Sequence, residues 1–276
     1  MKNLIVLYLV YGDENLNDGL VEIDTIIKRM FNDISVEYVI IDNSNNLKET
    51  NNLNKYYIHG NNDYFDFSGW DKGYNFAIQN LIVDSDTMFL FVNDTFFRRN
   101  YADAGDFLSI FDNKIIANKN LRDVAIGYID DFPKDVILNE IVYNSWIRSN
   151  IFFISSNVMK KISKLTFDFP KERIFSNDIN KFWSDDNLIS ANWKAYISSW
   201  LFGIEDDNYP EYRLHWLKSN TLNNESWEFF QRKAITILSE HYLTARLFNM
   251  NIEIIDTNIF PKDPLRHIKP YYKEQE

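Results

Sequence analysis

Hydrophobic and polar positions alternate along the first half of the chain in blocks that switch between strand and helix character. Residues 88–92, Met-Phe-Leu-Phe-Val, are an unbroken apolar run. The run is too short for a buried helix and suits a central parallel strand covered on both faces. It stops on Asn93-Asp94. Residues 4–11 form a similar run that breaks at Gly12-Asp13, and residues 36–41 another that ends at Asp42-Asn43-Ser44. Between these two, Leu20, Ile23, Ile26, Ile27 and Met30 recur at helical spacing, with Asp18 placed as the N-cap. A strand, a helix and a strand within about 40 residues predict a right-handed βαβ unit with parallel strands.

The pattern continues less regularly. An Asn-rich connection over 43–54 leads to a short strand at 56–59, and Ser68-Gly-Trp-Asp71 reads as a capping box opening a helix to Leu81. A helix is expected over 104–111, a strand over 124–129 ending on Asp130-Asp131, a strand over 151–154 and a helix over 158–162. Beyond Pro170 the patterning turns mostly helical and aromatic, with Phe182, Trp183, Trp193, Tyr196, Trp200 and Trp216 among the rings. Residues 234–248 are the clearest late helix, and 252–255 a last strand. The fold class predicted is α/β: a three-layer α/β/α sandwich with a mostly parallel central sheet and a C-terminal, helical, aromatic-rich elaboration. With neither a repeat nor a flexible linker, residues 1–276 read as a single domain, its α/β part about 1–165 and its helical part about 166–276.

Composition narrows the function. Hydrophobic residues make up 45% of the chain and aromatic ones 16%, a globular balance with ample core. The formal net charge of −11 argues against a broad nucleic-acid surface, which needs clustered Lys and Arg. There is no cysteine, which excludes disulfides and thiolate metal sites and fits a reducing compartment. The opening apolar run falls far below the ~20 residues of a membrane span, so a cytoplasmic location is the expectation. The tail over 261–272 sets Lys262, Arg266, His267 and Lys269 beside Tyr271 and Tyr272. It is either a solvated tail or a peripheral contact with an anionic membrane.

Ligands of open α/β sheets bind at the carboxyl ends of the strands. Asp94 beside Asn93 at such an end is a hard oxygen site suited to Mg²⁺ or Mn²⁺ carrying a diphosphate, or else a turn cap. Asp42 at another strand end could accept the N3–H of uracil or thymine, or make an Asx-turn with Asn43-Ser44. Arg98 and Arg99 follow close after Asp94. The aromatic-rich segment is either core or the wall of a sugar-binding cleft.

Taken in order, these stretches resemble the GT-A-fold glycosyltransferases, nearest to the family-2-like and rhamnan-synthesis-type enzymes of bacterial surface polysaccharides. The resemblance spans about residues 4–255. It rests on Val39-Ile-Ile-Asp42-Asn-Ser, Asp66-Phe-Ser-Gly-Trp70-Asp71-Lys-Gly-Tyr-Asn75, Val92-Asn93-Asp94-Thr, Trp146-Ile-Arg-Ser149-Asn-Ile-Phe-Phe and Ser239-Glu240-His241-Tyr-Leu-Thr-Ala-Arg246-Leu. It implies a nucleotide-sugar donor bound by about 1–165, with Tyr11, Asp42, Asp66, Trp70, Asp71, Asn93 and His241 as donor-binding residues. From the residues alone Asp71 reads first as a helix cap, and His241 as a structural histidine or a contact to phosphate or metal. Asp94 is implied as ligand to Mn²⁺ or Mg²⁺, and Glu240 as catalytic base. Asp185 and Asp186 are rivals for the base, as are Asp130 and Asp131. The acceptor implied is a growing glycan or a lipid-linked oligosaccharide, and the donor a UDP- or dTDP-sugar. Two departures stand out: Asn93 lies where the family's Asp-x-Asp has its first acid, and the family's Glu-Asp pair is Glu240-His241 here.

Two other functions compete. A nucleotidyltransferase calls for a Gly-rich, basic loop after the first strand, and Tyr11-Gly-Asp-Glu-Asn15 is neither. A non-catalytic carbohydrate- or nucleotide-binding relative fits the loss of the first acid at Asn93.

Overall fold

Every residue from Leu4 to Val10 is buried, as a strand covered on both faces requires. The structure, a computed structural model, describes residues 2–98, 111–117, 119–212, 214, 216 and 218–258. Arg99, most of the helix expected over 104–111 and the basic tail over 261–272 lie outside them, and the side chain of Arg98 is likewise not described. The elements run β1 (Asn3–Val10), α1 (Leu16–Met30), β2 (Ser35–Asp42), β3 (Thr50–Asn52), β4 (Lys55–His59), α2 (Phe65–Asn80) and β5 (Thr87–Asn93). They continue with β6 (Val124–Leu138), β7 (Ile141–Ser155), α3 (Ser156–Ile162), α4 (Lys171–Ile174), α5 (Ala191–Phe202), α6 (Trp227–Asn249) and β8 (Glu253–Asp256).

Among the described residues eight strands join one mixed, mostly parallel sheet in the order β3-β4-β2-β1-β5-β7-β6-β8. Parallel pairing holds for β1 with β2 and β5, β2 with β4, and β6 with β8. β7 runs antiparallel to β5, and β3 antiparallel to β4. The chain separates into two compact units. The first holds the described residues of Met1–Ile129, with Ile147–Thr166 and 246–258; the second holds Asp130–Trp146 and Phe167–Ala245.

In the first unit helices cover both faces of the sheet. Leu4, Val6, Tyr8 and Val10 point to one face and pack with Leu20, Ile23 and Ile27 of α1. On the other face α2 lies close: a Cβ at Gly69 would meet Leu9 Cδ1 at 2.4 Å, and one at Gly73 would meet Ile41 Cδ1 at 2.4 Å. Trp70 makes edge contacts with Phe91 and Phe152 there, and Tyr74 with Phe89.

In the second unit the aromatic-rich segment is mainly core. Trp193 of α5 stacks on Tyr196 with centroids 4.6 Å apart and lies 4.4 Å from the ring of His241. Phe182, Trp183, Lys194 and Phe202 line a cavity of about 500 Å³ in this unit. Among the described residues no helix is long and apolar enough to cross a membrane.

Several boundaries differ from the sequence expectation. α1 begins at Leu16, with Asn15 rather than Asp18 at its N-cap. α2 opens at Phe65, so Ser68 lies inside it; its hydroxyl accepts from the backbone N–H of Tyr64 at 2.8 Å. β6 and β7 are each 15 residues long, where short strands were expected, and α6 starts at Trp227 instead of 234. Asp130 and Asp131 thus lie within β6, not at a strand end. Residues 50–52 of the Asn-rich connection form the edge strand β3.

Candidate active site

The chain leaves β1 toward β2 on one side, while the far neighbour of β5 is β7 on the other. Connections that diverge from adjacent parallel strands open a crevice above their carboxyl ends. By that rule the binding position expected in this sheet is over the carboxyl ends of β1 and β5. On the β1 side the turn is Tyr11-Gly12, with Gly12 at φ +88°, a conformation glycine adopts without strain. The Tyr11 backbone N–H donates to Asp94 Oδ2 at 2.9 Å.

On the β5 side the two-residue period of a strand sends the last residues to opposite faces. Asn93 shares the α2 face with Phe89 and Phe91, and its Nδ2 donates to Asp66 Oδ2 in the first turn of α2 at 3.1 Å. Asp94 turns to the α1 face, where the side chain of Asn15 hydrogen-bonds to it. Tyr11 is 61% exposed, and its hydroxyl accepts from Asn62 Nδ2 at 3.4 Å. Four of the residues expected at the site, Tyr11, Asp66, Asn93 and Asp94, are thus linked by hydrogen bonds and charge proximity within one unit.

Asn62 is an addition that the sequence did not single out, being one of many asparagines in this stretch. The loop that carries it leads into a strained helix start: Phe65, the first residue of α2, has φ +49°, rare for a bulky residue. Such strain persists where surrounding structure enforces it, often around ligand sites.

The electrostatics favour a cation. Burial lifts the Asp94 carboxyl above its usual range; the Tyr11 N–H pulls it down, and the nearby Asp66 charge pushes it up again. Among the described residues no three His, Cys, Asp or Glu side chains converge as a ready metal cage. Mg²⁺ and Mn²⁺ need less than that, since one or two carboxylates suffice when phosphate oxygens and waters complete the shell.

Other expected donor contacts are engaged elsewhere. Asp42 is 1% exposed, and its two oxygens accept from the backbone N–H groups of Gly12, Ser44, Asn46 and Leu47 and from the Ser44 hydroxyl, at 2.7–3.0 Å. That set takes up the lone pairs a nucleobase would need. Burial pushes its carboxyl up, but these donors outweigh the effect and hold it below the usual value.

Trp70 is fully buried in the α2 face, its Nε1 3.4 Å from the Val92 carbonyl, and so offers a ligand nothing. Asp71 is also buried. It accepts from the N–H groups of Leu165 and Thr166 at 2.6 and 3.1 Å and from the Thr166 hydroxyl, tying α2 to the segment after α3. Trp70 packs against the sheet and Asp71 against the segment after α3, and both side chains are buried there.

The second unit holds the remaining expected residues. Glu240 is half-buried; burial first and Glu240 next push the Tyr143 phenol up, and burial, then Tyr212, then Glu240 push up that of Tyr196. His241 is buried, its ring 4.0 Å from Trp146 and 4.4 Å from Trp193, as a core histidine would be. Asp186 takes a two-point ion pair from Arg173, at 2.8 and 3.2 Å, and Asp185 pairs with Lys181. These partners hold both carboxyls below their usual range, which makes them weak proton acceptors. Comparison of the chain with protein-family models, curated proteins and solved structures finds no match.

Proposed function

We propose that this chain is a GT-A-like glycosyltransferase that binds a nucleoside diphosphate sugar over the carboxyl ends of β1 and β5. The reading is carried by one observation: a partly buried Asp94, at the topological switch point, is fixed by the Tyr11 N–H and raised in pKa by burial and a second carboxylate. Such a pair is poised for a cation, and a cation for a diphosphate. Asp94 would hold the Mg²⁺ or Mn²⁺, with the Asp66 charge near enough to be felt at Asp94, and the ion would neutralise charge on the leaving diphosphate.

The residues of the chain do the remaining work. The Tyr11 N–H sets the Asp94 rotamer, and Asn93 Nδ2 holds Asp66 in place. The exposed Tyr11 ring offers a face for the nucleobase. The role of Glu240 as base for the acceptor hydroxyl comes from the motif Ser239-Glu240-His241-Tyr-Leu-Thr-Ala-Arg246 alone.

Asn93 in place of an acid favours a second reading, a non-catalytic relative that binds the same donor. Calorimetry with UDP and Mn²⁺ tests the site, and release of sugar from a UDP-sugar panel separates the two readings. Wild type is expected to bind UDP only with the ion, and Asp94→Ala to weaken this at least about tenfold with an unchanged melting temperature. Equal binding by wild type and Asp94→Ala would sink the proposal.

A further inference from the structure

Asn15 stands at the N-cap of α1, a position asparagine favours because its side-chain oxygen can take a backbone N–H of the first turn. Here the side chain makes no such bond. It hydrogen-bonds instead to the carboxylate of Asp94, just past the end of β5. A carboxylate only accepts, so the amide engages it through Nδ2. Oδ1 of the same amide is buried without a hydrogen-bond partner, and the residue as a whole is only 7% exposed.

The backbone that carries this amide is anchored. The Asn15 carbonyl accepts from the Tyr8 hydroxyl at 3.0 Å and from the Gly19 N–H at 2.9 Å. The first of these needs glycine at position 19, where a Cβ would meet the Tyr8 hydroxyl oxygen at 1.9 Å. A half-turn about Cβ–Cγ, a broad and roughly two-fold torsion in asparagine, exchanges Nδ2 and Oδ1 without moving that backbone.

An N–H···O bond is about 2.9 Å long, so the exchange sets Oδ1 about that far from the Asp94 oxygen. Neighbouring oxygens on an octahedral ion, each about 2.1 Å from the metal, are about 3.0 Å apart. The two separations agree, and Asn15 and Asp94 can therefore sit side by side on one ion.

We propose that Asn15 is the second protein ligand of the divalent ion at Asp94, its amide turning from hydrogen-bond donor to oxygen ligand as the ion binds. The proposal rests on the nucleotide-sugar reading above. Before the ion arrives, Nδ2 covers the Asp94 charge; afterwards Oδ1 has the partner it lacks. Asp18, in the first turn of α1, offsets the positive end of the helix that would otherwise repel a cation. One carboxylate and one neutral amide leave phosphate oxygens and waters to complete the shell, so the ion enters with the diphosphate and not ahead of it.

The test is the affinity of wild type, Asn15→Ala and Asn15→Asp for the Mn²⁺–UDP complex, measured by calorimetry across a range of pH. The number of sites and the dissociation constant emerge separately, so an unfolded fraction lowers only the first. Asn15→Ala is expected to lose at least about tenfold in affinity at every pH, as partners in metal sites do. Asn15→Asp caps a helix equally well and keeps an oxygen in place, and is expected to bind at least as tightly as wild type. A residue that merely donates to Asp94 behaves otherwise. The Asn15→Ala loss would then vanish once the pH is high enough to ionise Asp94 unaided, and Asn15→Asp, which cannot donate, would bind more weakly than wild type. Either result, or wild-type affinity in Asn15→Ala, overturns the role of Asn15 and leaves the donor site standing. Failure of the wild type to bind the complex overturns the nucleotide-sugar reading, and the role of Asn15 with it.

Discussion

Replacing Asp42 by Asn decides whether this carboxylate holds a loop or reads a base. The change swaps one acceptor oxygen for a donor NH₂. If Oδ2 is lost, the N–H groups of Asn46 and Leu47 face another donor; if Oδ1 is lost, those of Gly12 and Ser44 do. A donor deprived of its partner costs about 1–3 kcal/mol when buried. Asn46 is exposed and Leu47 half-buried, so water recovers part of that and the Oδ2 swap is the cheaper. The expected cost is therefore about 2–3 kcal/mol, a fall of roughly 5–10 °C in melting temperature. Circular dichroism melts and urea titrations at matched pH measure it. The pH dependence adds a signature. Because the folded carboxyl sits below its ordinary value, its stabilisation is complete above about pH 4 and fades as pH drops through the lowered pKa. The gap between wild type and Asp42→Asn should close in that window. An Asp42→Asn protein that melts like wild type yet loses UDP would refute the reasoning, since the carboxylate would then serve the ligand.

Two further substitutions separate structure from chemistry. Asp71→Ala leaves the Leu165 and Thr166 N–H groups without their acceptor in a buried site, and should cost about 2–5 kcal/mol in a urea titration. Burial holds the Asp71 carboxyl above its usual value, so its contribution to wild-type stability declines as pH rises through that raised pKa, a slope absent from Asp71→Asn. Glu240→Gln should keep UDP affinity and lose at least about 10² in turnover, the range for a general base. Asp185→Asn and Asp186→Asn should alter both stability and rate little, because their ion pairs are largely exposed.

The first half of the fold was legible because its strands are buried on both sides and read as apolar runs. α1 was legible because its core face repeats every three to four residues. The long β6–β7 hairpin was not. Its turn, Asn139-Glu140, places both residues at positive φ, 46° and 66°, as a two-residue hairpin requires. Glutamate there hides the usual Asn-Gly signal. Beyond Ile129 the strand leaves the double-sided core and takes polar residues such as Asp131, Lys134 and Asp135, so no apolar run marks it.

At the candidate site, Asp94 and Asn93 were legible as polar residues that end an apolar strand. Trp70 and Asp71 misled because the α2 motif locates a helix start without saying which side faces the crevice. Gly69 and Gly73 face the sheet with Trp70 beside them, while Asp71, on the other side of α2, is covered by Leu165 and Thr166.

The most direct measurement is the position of bound Mn²⁺ in crystals grown with UDP, read from its anomalous scattering. The expected result is a peak within about 2.5 Å of an Asp94 oxygen, with the diphosphate against it above the carboxyl ends of β1 and β5. UDP bound elsewhere on the chain, with no Mn²⁺ peak at Asp94, would contradict the assignment.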